Sequence, residues 1–115
     1  MLRKELNRSQ AALEVRRVEL RRSIAQIEED ATTKQGETAA DALDRAWSSH
    51  SKDLLMRRIA GERGLLRNVE GALKRIRECT FGECVSCGKE INTKRLEAVP
   101  WTRYCIECQE KLERG

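Results

Sequence analysis

Leu6, Leu13, Leu20 and Ile27 recur every seven residues along the first part of the chain, with Leu2 and Ile24 on a neighbouring line and mostly Arg, Glu and Gln between them. A seven-residue repeat marks a helix with a narrow apolar stripe. From Leu55 the pattern is cleaner: Leu55, Ile59, Glu62, Leu66, Val69, Leu73 and Ile76 alternate spacings of four and three, and only Glu62 breaks the seam. Between the stripes, Asp30 to Ser51 loses the periodicity to small and polar residues and a glycine, so the chain is expected to turn back there. The pattern predicts an antiparallel helical hairpin with arms of about 25 residues, about 40 Å at 1.5 Å per residue. A parallel coiled-coil dimer is the alternative. The hairpin is preferred because one arm covers the other's stripe without a second chain.

Composition supports a narrow core. Charged residues are 37% of the 115 positions and aromatics 3%, too few large side chains for a broad globular interior. The fold class expected is mainly α, with the hairpin over residues 1–79, its tip at about 31–50, and a small cysteine-bound module over 80–115 ending in a short helix. Gly61, Gly64 and Gly71 lie within the second arm but off its seam, where each costs about 1 kcal/mol relative to alanine and tight packing does not call for it.

The net charge of +4 is unevenly spread: the excess lies in residues 51–79, with eight basic against four acidic side chains, while residues 80–115 carry six of each. A near-neutral cysteine module without interleaved aromatics is poor support for DNA capture. No run approaches the roughly 18 apolar residues of a membrane span. An intracellular, reducing environment is expected, where paired cysteines read as metal ligands before disulfides.

Cys84, Cys87, Cys105 and Cys108 form two CxxC pairs 17 residues apart. Tetrahedral zinc accepts four thiolates, and this spacing fits one structural zinc ion with no coordination position left for water or substrate. Gly88, directly after Cys87, supplies the positive φ that such a knuckle needs. Ile91, Leu96 and Val99 are the expected apolar cluster, Pro100 marks a turn, and the last residues form the closing helix. A dithiol redox centre would need only one pair. Cys79 is left over as a free thiol at the end of the second arm, and His50 is given no role.

The run from Phe81 to Cys108 resembles the zinc finger of the DksA/TraR family of bacterial transcription regulators. Its FGxC opening, CxxCG knuckle, RLEAxP segment and closing CxxC stand here as Phe81-Gly82, Cys84, Cys87-Gly88, Arg95 to Pro100, Cys105 and Cys108. A second match is "DALDRA", which fits the family's tip motif DxxDxA through Asp41, Asp44 and Ala46. The resemblance implies a monomeric, non-catalytic regulator of the bacterial cytoplasm. Such a protein binds RNA polymerase, not specific DNA or membrane, and inserts its coiled-coil tip through the secondary channel, bringing Asp41, Asp44 and Ala46 to the active centre. Helix capping is the competing role for the two aspartates, and packing between the arms is the role expected of Trp47. Some members bind the alarmone ppGpp through basic side chains; the corresponding residues here, Asn68, Val99 and Gln109, carry no positive charge, so alarmone dependence is not expected. The rival readings are a nucleic-acid-binding zinc module and a structural coiled-coil adaptor.

Overall fold

The computed structural model describes residues 2–32 and 49–115, with side chains given for 2–29 and 53–115. The expected tip at about 31–50, with Asp41, Asp44, Ala46 and Trp47, lies almost wholly outside the described residues. Four helices follow in order: α1 (Arg3–Thr32), α2 (Ser49–Arg77), α3 (Thr93–Ala98) and α4 (Ile106–Arg114). The only proline of the chain is Pro100, so nothing in α1 or α2 removes a backbone donor from the helix interior. At 30 and 29 residues the two long helices exceed the expected arms, and each reaches into what periodicity marked as the turn. Hydrophobic spacing reports burial, and a helix continues past its last buried residue wherever no breaker stops it. The class is as expected: mainly helical, a hairpin of long helices followed by a four-cysteine finger and a short last helix.

Two compact units divide the chain. The first comprises Val18–Leu66. Leu20 and Ile24 are buried there, and Ile27, Leu55, Ile59 and Leu66 are half-buried, which places them on the seam that the spacing predicted. Glu62, the break in that seam, is met by Ser23 from α1: the hydroxyl lies 3.0 Å from each carboxylate oxygen and donates to one of them at a time. Arg58, one turn back on α2, stands 3.8 Å from the same carboxylate. A half-buried carboxylate costs free energy unless it is hydrogen-bonded. Ser23 supplies that bond at one register of the two helices. Arg63 pairs with Glu28 on the exposed side.

The second unit comprises Met1–Arg17 and Arg67–Gly115. Its helical part buries Ser9, Leu13, Val69, Ala72 and Leu73. Burial of each large apolar side chain contributes about 1.5–3 kcal/mol. Leu2, on the predicted neighbouring line, is 70% exposed, since the first residues of a helix have few neighbours to cover them. The finger has its own core of Cys84, Ile91 and Leu96, with Phe81, Tyr104, Cys105 and Cys108 packed around it. Val99 is not part of this core. It caps α3 and stays half-buried, its N–H donating to the Arg95 carbonyl.

α2 stops at a left-handed residue. The Thr80 N–H donates to the Arg75 carbonyl at 2.9 Å and the Cys79 N–H to the Ile76 carbonyl at 3.2 Å. This is the double bond pattern of a Schellman cap, in which the residue at the turning position takes positive φ. Glycine is usual there; here Cys79 does it, with φ 61°.

Candidate metal centre

The first cysteine pair lies on a tight knuckle. The Gly88 N–H donates to the Cys84 carbonyl at 2.9 Å and the Cys84 N–H to the Lys89 carbonyl at 2.8 Å. Gly88 has φ 76°, the positive value expected from its place after Cys87. An isolated antiparallel bridge between Glu83 and Glu90 closes the base of the loop. The second pair belongs to α4, where Cys105 is the N-cap and Cys108 lies in the first turn. Thiolates are favoured at that end, because the first N–H groups of a helix point outward and its dipole is positive there.

Folding brings the two pairs together. The four sulfurs all lie within 4.8 Å of one another, and Cys87 Sγ and Cys105 Sγ are 3.8 Å apart. Zinc–sulfur bonds of about 2.3 Å in a tetrahedron give sulfur–sulfur edges of about 3.8 Å. A disulfide would need about 2.05 Å, and all five cysteines are free. Cys84 is buried, Cys105 and Cys108 half-buried, and Cys87 exposed. Among the described residues this is the one group fit to hold a metal ion.

Electrostatics fits the same chemistry. Burial pushes the Cys84 thiol up, but the backbone N–H groups of Cys105, Cys87 and Ser86 outweigh it and bring the pKa down to about 6. The Cys108 thiol is pushed up to about 12, first by its hydrogen bond to Cys105 and then by burial and the other two sulfurs. Four sulfurs this close repel one another as thiolates, so ionising one makes the next harder to ionise. A bound divalent cation removes that conflict and holds all four as thiolates.

The family described as "Prokaryotic dksA/traR C4-type zinc finger" matches residues 80–114, which contain these four cysteines. The solution structure of DnaK suppressor protein from Agrobacterium tumefaciens C58 is similar over 91% of both chains, at 30% identity and a TM-score of 0.60. This chain belongs to the DksA/TraR family. The structure of transcription factor DksA2 from Pseudomonas aeruginosa shares the DksA fold, with a TM-score of 0.73 at 23% identity over 97% of this chain and 85% of that one. RNA polymerase-binding transcription factor DksA of Escherichia coli K12 is 37% identical over 90 residues, 76% of this chain and 60% of that protein. The chain thus spans less than two thirds of that curated relative. The cofactor of the C4-type finger is one structural zinc ion.

Several contributors were not visible in the sequence. Phe81 and Tyr104 pack on the core of Cys84, Ile91 and Leu96, and the N–H groups that favour the Cys84 thiolate come partly from the other pair. Arg95 braces the segment before Cys105, donating Nε to the Tyr104 carbonyl at 3.1 Å and Nη2 to Thr102 Oγ1 at 3.4 Å. Its place in RLEAxP was a signal for structure more than for chemistry. Cys79 is exposed and outside the metal cluster.

Proposed function

We propose that this chain binds RNA polymerase and regulates transcription initiation, with residues 1–79 as the inserted arm and residues 80–115 as the finger. The observation that carries this reading is the extent of identity to a named RNA polymerase-binding factor. It runs over 90 residues, well beyond the finger at 80–114, and so includes helical sequence. In this proposal Cys84, Cys87, Cys105 and Cys108 hold the zinc, and Asp41 and Asp44, with Ala46, act at the polymerase active centre from the tip.

The protein acts without catalysis of its own, since four cysteine ligands complete a tetrahedral zinc shell. It acts as a monomer, because each long helix covers the other's stripe, and in the cytoplasm, where its bacterial partner works. Balanced charge in the finger supports contact with protein over specific contact with DNA. Among the described residues, no helix is long and apolar enough to cross a membrane.

The test compares Asp41→Asn and Asp44→Asn with the parent chain. Asparagine keeps shape and removes charge, so polymerase pull-down should persist while the effect on promoter-complex lifetime is lost. A charge-assisted contact contributes roughly 1.5–3 kcal/mol, enough to move a two-state balance about tenfold. Parental regulation by both variants would make the aspartates helix caps and sink the tip mechanism. Capture of DNA but not of core polymerase would sink the whole reading.

A further inference from the structure

Three guanidinium groups gather around one stretch of the finger, Thr102 to Tyr104. Arg95 serves the fold through the two bonds already described. The Thr102 hydroxyl, buried, donates in turn to the Tyr104 carbonyl at 3.1 Å. The backbone between is pinned as well: the Thr102 N–H donates to the Val99 carbonyl at 3.0 Å, and the Val85 N–H to the Arg103 carbonyl at 2.9 Å. Arg103 therefore leaves a fixed backbone, and its guanidinium lies over the Tyr104 ring, 5.2 Å from the centroid. Arg75 arrives from α2 and donates Nη2 to the Thr102 carbonyl at 3.4 Å.

Arg75 and Arg103 thus stand as neighbouring cations, each steadied from behind, one by a carbonyl and the other by a ring. No carboxylate is among the groups that act on the Arg75 charge. Arg75 is half-buried; loss of water lowers its pKa, and the charge of Arg103 lowers it further. A partly desolvated guanidinium beside another cation is electrostatically uncompensated, and a bound anion would offset both costs.

We propose that Arg75 and Arg103 form an oxyanion site that takes a phosphate group. Two charges and two planar forks match a tetrahedral dianion, which offers oxygens to both at once, whereas a single carboxylate supplies one charge and one edge. Each guanidinium carries five N–H donors, and the contacts above leave most of them free. The site is separate from Asn68, Val99 and Gln109 and from the four cysteines. It does not depend on the polymerase reading.

The test uses the full zinc-loaded chain and inorganic phosphate, with sodium chloride at equal ionic strength as the control. The Nε–Hε resonances of Arg75 and Arg103 should shift together and saturably with phosphate, and the thermal midpoint should rise along the same curve. Arg103→Gln, at an exposed position, should bind phosphate at least about tenfold more weakly while keeping the parental zinc content and phosphate-free midpoint. Arg75→Lys should also weaken binding, since it keeps the charge and loses the fork. Shifts no larger than those in chloride, or a smaller loss in Arg103→Gln, would overturn the proposal. So would binding of a short DNA duplex without any saturable response to inorganic phosphate, which would point to general polyanion attraction.

Discussion

Replacing Cys79 by glycine should stabilise the protein. Cys79 closes α2 in the left-handed region at φ 61°, held there by the two cap hydrogen bonds from its own N–H and that of Thr80. That conformation brings the Cβ of an L-residue against its own backbone and costs about 1–2 kcal/mol, which glycine does not incur. Glycine also loosens the unfolded chain, which returns about 0.4–1 kcal/mol of the gain. Cys79 is exposed and binds no metal in the cluster, so little packing is lost with it. The net expectation is about 1 kcal/mol, or a rise in thermal midpoint of about 4 °C for a chain of this size. The assay is thermal unfolding followed by helical circular dichroism, in reducing buffer at fixed free zinc, because metal bound to the folded state shifts the midpoint by mass action. Cys79→Ala is the necessary control: it removes the thiol and keeps the Cβ, so it should not stabilise. If alanine raised the midpoint as much as glycine, or if glycine left it unchanged, the strain at this cap would not be the cause.

Gly61→Ala should also stabilise, by about 1 kcal/mol, because a Cβ built at this helical position meets nothing within 4 Å; chemical denaturation checks it, and a lower midpoint would show that the glycine serves packing or a bend. Cys84→Ser should abolish stoichiometric zinc by elemental analysis and expose the finger to proteolysis at sites within 80–115, while far-ultraviolet dichroism of the long helices falls only in part; full zinc content in this variant would refute the four-thiolate site.

What was legible in the sequence is what local spacing encodes. Leu13, Leu20, Ile24, Val69 and Leu73 are buried on the seam that their spacing drew, and two CxxC pairs announced the metal cluster because each pair, on a knuckle or at a helix start, is a local structure that brings its own two sulfurs together. Ser9 and Ala72 are buried too, yet a small hydroxyl or a methyl carries no hydrophobic signal strong enough to mark a core position. Glu62 was visible as a break in the seam, but its partner Ser23 is 39 residues away and is found only when the arms are set in register. Arg75 and Thr102 are 27 residues apart, and nothing in their spacing brings them together. The cap at Cys79 escaped for another reason: the usual signal there is glycine, and cysteine has no preference for positive φ. Asp41, Asp44 and Ala46 rest on motif alone, because they lie outside the described residues.

The finger's interior explains why its folding should depend on the metal. Its buried core is three residues, Cys84, Ile91 and Leu96, and at about 1.5–3 kcal/mol for each large apolar side chain this falls short of ordering some thirty-five residues. Zinc binding in small fingers supplies about 10–16 kcal/mol, so the metal decides whether the module is folded. Glu5, Arg8, Ser9 and Ala12 on the first turns of α1 line one cavity with Thr93, Leu96 and Pro100 of the finger. Leu96 therefore belongs to the finger core and also lines the cavity that the first turns of α1 border. Loss of the metal should therefore loosen Leu96 and the finger's side of that cavity.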